Sequence, residues 1–221
     1  MLFDLDGTIT DSAPGITATL AHTLEVMQRP VPTPAELVAF VGPPILDGFA
    51  ALGLTPEQGR EALAIYRERY HESGAFNSHV YAGIEQALRS IAATGVPLAL
   101  ATSKPETQAR RILDHFGLED VFTFIGGASD DEVRSEKADV VAYVLENLVL
   151  LGVDIASPVM IGDREHDVHG AAACGVPTIF VDWGYGADAE QAGSIAVAAT
   201  PADLLPLVTA GVPRAGSHLA G

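Results

Sequence analysis

The stretch Phe3-Asp4-Leu5-Asp6-Gly7-Thr8, near the start of the chain, decides the fold. Apolar residues surround the first aspartate and Gly7-Thr8 ends the apolar run, which predicts a short buried strand with two carboxylates at its carboxyl end. Asp4 and Asp6 point the same way because side chains repeat every second residue of a strand. Two acids this close need a compensating cation, and Mg²⁺ is a hard ion that prefers oxygen ligands. At this point, an acidic turn after a strand remains an open alternative.

Composition limits the classes of protein to which this chain can belong. Its 221 residues include 29 Asp and Glu against 12 Lys and Arg, a net charge of −17, and 48% are hydrophobic. The length fits roughly one to two folded domains, and the charge disfavours nucleic acid or an anionic membrane as a partner. Cys174 is the only cysteine, which excludes an intrachain disulfide and a cysteine-rich zinc site. With no secretory signal or membrane-length apolar run, we expect a cytoplasmic protein, monomeric or homodimeric.

The order of the predicted elements indicates two parts. Helix signals fill residues 13–79, with capping boxes at Thr33–Glu36 and Thr55–Gln58. From residue 80 onward, apolar runs alternate with helices, as in an open parallel sheet with right-handed crossovers. The sequence predicts an α/β fold: a doubly wound, Rossmann-like parallel sheet from residues 1–12 and 80–221, with an inserted all-helical cap domain at residues 13–79. After the first strand, the predicted strands are 96–101, 121–125, 159–161 and 178–181.

Polar residues follow several of these strands. Ligands of a doubly wound sheet bind beyond the carboxyl ends of its strands. Thr102-Ser103-Lys104 follows the second strand at a helix start that suits a phosphate oxygen, and Asp163 and Asp167 follow the fourth. Lys137 opens the helix after the third strand against the helix dipole, so it needs an anionic neighbour. Each residue alone also fits a helix cap or an ordinary surface position, but together they place acids, hydroxyls and a cation at successive strand ends.

These motifs together resemble the haloacid dehalogenase superfamily of hydrolases, and within it the phosphoglycolate phosphatase-like members. The similarity covers nearly the whole chain, and the helical insertion resembles the small cap domain of that family. The matching segments are Asp4–Thr8, Ala101–Pro105, Lys137 and Ile161–Asp167, with Gly42-Pro43-Pro44 similar to a substrate-facing cap loop and Trp183–Gly186 also fitting this branch.

The resemblance implies a role for each matched acid at the first strand. Asp4 would attack phosphorus to form an aspartyl-phosphate, as a nucleophile does in covalent catalysis. Asp6 would protonate the leaving group and then activate the water that hydrolyses the intermediate. Mg²⁺ would be held by Asp4, the backbone carbonyl of Asp6 and Asp163, and would let an anionic nucleophile approach a phosphoryl group.

The resemblance also implies roles for the remaining motifs. Thr102, Ser103 and Lys137 would bind the phosphoryl group, and Asp167 would orient Lys137 or a metal-bound water. The cap, through Gly42-Pro43-Pro44, would close over the site and select the leaving group.

Lys104 is the alternative to Lys137 as the phosphoryl-binding cation, because the proline that usually follows this lysine in the family is replaced by Ala138. Two groups of residues are assigned no part in the chemistry. His166 and His169 are interpreted as exposed helix positions, and Arg69-Tyr70-His71 in the cap as packing or surface residues.

The predicted activity is therefore Mg²⁺-dependent hydrolysis of a small phosphorylated metabolite, of the phosphoglycolate phosphatase type. A 5′-nucleotidase, a phosphosugar phosphatase and a mutase sharing both aspartates remain alternatives. A catalytically silent phosphate-binding regulatory domain is an alternative of another class. A hydrolytic dehalogenase is disfavoured, because that chemistry needs no leaving-group acid at Asp6.

Overall fold

The computed structural model describes residues 1–209. Its strands are β1 (Leu2–Phe3), β2 (Thr10–Asp11), β3 (His79–Val80), β4 (Ala99–Pro105), β5 (Phe124–Ala128), β6 (Met160–Gly162), β7 (Thr178–Val181) and β8 (Ala196–Ala198). Six of them form a parallel sheet in the spatial order β5-β4-β1-β6-β7-β8. The short β1 lies in the middle, where Phe3 pairs with Leu100 on one side and Ile161 on the other. The predicted α/β class with a parallel sheet is confirmed.

Helices pack on both faces of this sheet. They are α1 (Ala13–Val26), α2 (Pro34–Leu37), α3 (Ile45–Ala51), α4 (Pro56–Arg69), α5 (Ile84–Ala92), α6 (Glu106–His115), α7 (Lys137–Leu150), α8 (Glu165–Ala173) and α9 (Leu204–Thr209). Strand side chains alternate between the faces, so Leu2 packs in one apolar cluster with α7 and α8, and Phe3 in a second with α5 and α6. None of the helices in residues 1–209 is long and apolar enough to cross a membrane.

Helices α1–α4 lie between β2 and β3, which pair antiparallel, Thr10 with Val80 and Asp11 with His79. The segment that holds these four helices therefore begins and ends at one place, where β2 and β3 pair. The predicted boundary between residues 79 and 80 falls inside β3, and the division into two domains stays a prediction. Both predicted capping boxes are present, at the starts of α2 and α4.

Two strands lie about three residues further along the chain than predicted. β4 covers Ala99–Pro105 rather than 96–101, and β5 covers Phe124–Ala128 rather than 121–125. The shift in β5 brings Gly126 and Gly127 into the sheet, although glycine is depleted in strands. Close packing explains their presence, because a Cβ on Gly126 would lie 2.4 Å from Val144. The consequence for the site is that β4 carries Thr102, Ser103 and Lys104 within the strand.

Candidate active site

Asp4 and Asp6 lie at the carboxyl end of β1, in the middle of the sheet. The Asp4 N–H donates to the carbonyl of Ile161 at 2.9 Å, which extends the pairing of β1 beyond Phe3. Gly7 follows with a φ of 85°, and a Cβ there would lie 2.2 Å from a carboxylate oxygen of Asp163. Glycine alone meets both the conformation and the close approach. This turn brings the first strand end against the end of β6.

Three buried carboxylates meet at this place. Asp4, Asp163 and Asp167 each offer an oxygen within 4.8 Å of the others. The ammonium of Lys137 lies 2.8 Å from Asp4 Oδ1 and 2.7 Å from Asp167 Oδ1, and donates to the carbonyl of Ala101 at 3.1 Å. Three carboxylates around one ammonium leave two negative charges uncompensated. A divalent cation bound by oxygen ligands would neutralise them, so the cluster fits Mg²⁺.

The electrostatics of the cluster follow from its burial. Burial raises the pKa of the Asp4 carboxyl, and the Lys137 ammonium opposes that shift. The pKa of Asp163 is raised well above its ordinary value by burial and then by the charges of Asp167 and Asp4. Burial would lower the pKa of Lys137, but Asp167 and Asp4 outweigh it and raise that pKa. Lys137 therefore stays positively charged, and its single charge does not balance the three carboxylates of the cluster.

Backbone and hydroxyl donors fix the orientation of Asp163. The Tyr185 N–H donates to Asp163 Oδ2 at 2.8 Å, and the Thr8 hydroxyl donates to Oδ1 at 3.1 Å. A Cβ on Gly184 would lie 2.3 Å from that of Asp163, so the loop after β7 approaches the carboxylate through a glycine. The Trp183 indole N–H donates to the Thr8 carbonyl at 3.0 Å. The sequence assigned no role to Thr8 or Tyr185; the Trp183–Gly186 pattern was the available signal.

Asp6 has a different partner from Asp4. Its Oδ2 lies 2.7 Å from the ammonium of Lys104, which also donates to the Tyr70 hydroxyl at 3.0 Å and lies 4.8 Å from the centre of that ring. All three side chains are buried. Lys104 and Lys137 are thus both in the site, one on each aspartate. Tyr70, interpreted from the sequence as a packing or surface residue, is buried, lines the cavity and joins the cap to Asp6 through Lys104.

The other predicted residues lie around these pairs. Thr102 is buried, and its hydroxyl oxygen accepts the backbone N–H of Lys104 at 3.2 Å. Asp167 Oδ2 accepts the Arg164 N–H at 3.1 Å, which places it in the first turn of α8. The Ser103 hydroxyl is buried and has no hydrogen-bond partner in residues 1–209. The structure brings together Asp4, Asp163, Asp167 and Lys137, and Thr102 follows Ala101, whose carbonyl accepts from Lys137. Their roles stay predictions.

A cavity of about 420 Å³ separates Asp6 from the cap. Asp6, Ser103 and Lys104 line its core side, while the cap contributes the predicted loop residues Gly42 and Pro43. Pro44 lies instead at the start of α3. Further cap side chains in the wall are Ile16, Phe40, Ile45, Leu63, Tyr66, Arg67, Glu68, Tyr70 and His71. The cavity is positioned to hold the part of a substrate that extends away from Asp6.

Two arginines bridge the cap and the sheet domain. Arg67 of α4 donates to the Asp130 carbonyl at 2.9 Å and pairs with Glu132, in the loop after β5. Arg164 donates to the Val41 carbonyl, beside the cap loop, and pairs with Glu190 at 2.8 Å. These contacts hold the cap over the aspartates.

The two histidines of α8 occupy different environments. His169 is exposed, but His166 is half-buried, and its Nε2 lies near Gly42. The interpretation of His166 as an exposed position was wrong, because the cap loop covers it. Burial, together with Arg164 and Lys137, lowers the pKa of His166 to about 4.

Comparison with known proteins agrees with this geometry. Residues 1–181 match the model of the haloacid dehalogenase-like hydrolase family. The chain belongs to this family. A crystal structure of a predicted phosphatase from Clostridium acetobutylicum superposes with a TM-score of 0.89 at 37% identity, covering 95% of this chain and 97% of that one.

The relatives of the chain carry different names. It is 46% identical to the tyrosine-protein kinase PtkA of Mycobacterium tuberculosis over 84% of its own length, but spans only 62% of that relative. It is 37% identical to a 5′-nucleotidase of Pseudomonas aeruginosa, covering 86% of this chain and 85% of that protein. It is 33% identical to a phosphoglycolate phosphatase of Rhodospirillum rubrum, covering 89% and 85%. The comparisons therefore establish the family, whose members similar to this chain are named for different activities.

Proposed function

We propose that this chain is a Mg²⁺-dependent phosphoric monoester hydrolase that acts on a small phosphorylated metabolite through an aspartyl-phosphate on Asp4. The observation that carries this proposal is that the two aspartates lie in different surroundings. Asp4 lies in the acidic cluster beside Lys137, whereas Asp6 faces the cavity that would hold a leaving group. The relatives named as phosphatases and nucleotidase support the same class of reaction.

Asp4 and Asp163, with the predicted carbonyl of Asp6, would hold the metal, and Asp167, paired with Lys137, would orient that lysine or a metal-bound water. Bound there, Mg²⁺ supplies the positive charge that lets an anionic carboxylate approach an anionic phosphoryl group. Lys137 orients Asp4 and offsets its charge, because its three donors are fixed by Asp4, Asp167 and a backbone carbonyl. Thr102 lies within β4, just before its register becomes irregular, and its hydroxyl would bind a phosphoryl oxygen.

The reaction has two balanced steps. An oxygen of Asp4 forms a bond to phosphorus while the ester P–O bond breaks, and the leaving oxygen takes a proton from Asp6. Asp6 then takes a proton from water, whose oxygen attacks phosphorus and releases Asp4 and inorganic phosphate. The cap contacts of Arg67 and Arg164 would exclude bulk water while the intermediate exists.

The candidate substrates come from the names of the relatives, because the two aspartates would serve any phosphate ester. A phosphoglycolate phosphatase-type substrate is the first candidate, and a nucleoside 5′-monophosphate is the second, supported by the 37% identical nucleotidase. The 46% identical relative named as a tyrosine kinase adds transfer to a tyrosine hydroxyl as a further candidate. Phosphate release separates hydrolysis from transfer, because transfer leaves phosphate on the acceptor. Relative rates on the two esters separate the two hydrolase candidates.

The test compares purified wild type with Asp4→Asn on a panel of phosphate esters with Mg²⁺. We expect phosphate release by the wild type, its loss in EDTA with recovery on adding Mg²⁺, and no turnover by Asp4→Asn, whose circular dichroism is unchanged. Asp114→Asn, on an exposed face of α6, is the matched control and should retain activity. Activity of Asp4→Asn near that of the wild type, or of the metal-free protein, would refute the mechanism.

A further inference from the structure

Two polar atoms on the core side of the cavity lack partners within the described residues. Asp6 Oδ1 and the Ser103 hydroxyl are buried and make no hydrogen bond within residues 1–209. Both side chains line the cavity, beside Lys104. Buried polar atoms are nearly always satisfied in folded proteins, and each exception calls for an explanation. A ligand that fills the cavity would supply the missing partners.

The two buried lysines differ in how many of their donors are used. An ammonium group has three N–H donors. Lys137 uses all three, on Asp4, Asp167 and a backbone carbonyl. Lys104 has two acceptors within the described chain, Asp6 and the Tyr70 hydroxyl, and it lines the cavity. Lys104 is therefore the cation with a donor left for the part of a substrate inside the cavity.

We infer that Ser103 and Lys104 recognise a second oxygen on the leaving group, carried by the carbon next to the ester carbon. This inference rests on the proposed function, in which Asp6 serves the ester oxygen. Because the Lys104 ammonium lies only 2.7 Å from Asp6, an acceptor that it binds lies close to that ester oxygen. An oxygen at the far end of a long leaving group would lie too far from this lysine.

The inference defines a substrate class. A hydroxyl, ether or carboxylate oxygen on the adjacent carbon fits, so the class contains two-carbon phosphoacids, polyol phosphates and furanose 5-phosphates. Simple alkyl phosphates lie outside it. An alkyl leaving group would cover Lys104 and Ser103 without offering them a hydrogen-bond partner, and sites built for a hydrogen bond reject such analogues strongly.

The test uses two substrates of equal size, 2-hydroxyethyl phosphate and propyl phosphate, which differ by a hydroxyl in place of a methyl group. We expect the wild type to prefer the hydroxyl substrate by on the order of 10- to 100-fold in kcat/KM, the range of one charge-assisted hydrogen bond. Ser103→Ala and Lys104→Met should each reduce this ratio. The ratio compares two substrates on one protein, so an effect on Asp6 common to both substrates cancels.

Ser12→Ala is the matched control. Its hydroxyl is also buried and unpartnered within residues 1–209, but it does not line the cavity. The ratio should stay at the wild-type value in this variant. Equal use of the two substrates by the wild type would overturn the inference, as would equal losses of preference in Ser12→Ala and Ser103→Ala.

A binding measurement keeps this result separate from the proposed reaction. Calorimetric titration of Asp4→Asn with both esters in Mg²⁺ requires no turnover. If the protein binds the hydroxyl ester preferentially but the wild type releases no phosphate, the proposed hydrolase activity is refuted and the recognition by Ser103 and Lys104 is supported. If both esters bind with equal affinity and release phosphate at equal rates, the recognition is refuted and the hydrolase activity is supported.

Discussion

Replacing Asp163 by asparagine is expected to change stability in opposite directions with and without Mg²⁺. Asp163 is 0% exposed, and burial followed by Asp167 and Asp4 raises its pKa well above the ordinary value. The folded protein therefore binds this proton more tightly than the unfolded chain does. Stability of the metal-free protein should fall as the pH rises from about 4 through the raised pKa, and remain low above it.

Asparagine removes this charge and keeps the local contacts. Its carbonyl can accept the Tyr185 N–H, and its amide can donate to the Thr8 hydroxyl. In EDTA at neutral pH, Asp163→Asn should therefore be as stable as the wild type or more stable, and its stability should depend less on pH.

Mg²⁺ binding should reverse the order of stability of the two proteins, making the wild type the more stable. At a Mg²⁺ concentration 100 times the Kd, binding stabilises the folded wild type by about 2.7 kcal/mol. For a chain of this size that corresponds to a rise in Tm of about 5–11 °C. Asp163→Asn lacks one carboxylate of the cluster, so its rise should be much smaller.

Circular dichroism melts of both proteins, in EDTA and in Mg²⁺ and at several pH values, measure these effects. The reasoning fails if Asp163→Asn is more than about 1 kcal/mol less stable than the wild type in EDTA. It also fails if Mg²⁺ raises the two Tm values equally.

Two further predictions concern packing and the cap. Gly184→Ala should destabilise the protein by roughly 1–3 kcal/mol and weaken Mg²⁺ binding, because its Cβ would lie 2.3 Å from that of Asp163. In contrast, Gly59→Ala should stabilise by about 0.5–1 kcal/mol, because a Cβ inside α4 there would meet no atom outside its own helix nearer than 3.9 Å. Denaturant unfolding measures both variants, and equal effects would contradict the packing argument. Glu132→Gln should raise KM up to about fivefold by removing the partner of Arg67, an ion pair of modest strength at a partly exposed site. Adding salt should raise KM in the wild type and much less in this variant; the same salt response in both would exclude the pair as a cap contact.

Local signals made much of the fold predictable. The capping boxes at Thr33 and Thr55 involve residues only three positions apart, so the sequence specifies both bonds of each box directly. Asp4 could be placed at a strand end because apolar residues and then Gly7 surround it. The order of strand ends also placed Asp163 and Lys137 on the same side of the sheet, since parallel strands share that side.

Contacts between distant residues were not predictable in the same way. Nothing near Lys104 in sequence indicates that its ammonium binds Asp6, or that the partner on its other side is Tyr70 from the cap. Pro105 is the N-cap of α6, in agreement with the predicted helix start, but β4 continues up to this proline through an irregular register after Thr102. That continuation carries Lys104 into the site. The sequence ranked Lys104 against Lys137, and the structure gives each lysine its own aspartate.

The pairing of β2 with β3 has a consequence for how such an enzyme can change. Thr10 and Asp11 lie opposite Val80 and His79, so both ends of the helical insertion are anchored at one point. Helices between these ends can be lengthened, shortened or exchanged without altering the spacing of the acids at the strand ends. The acids at the strand ends and the cap wall of the cavity therefore lie on different stretches of one polypeptide.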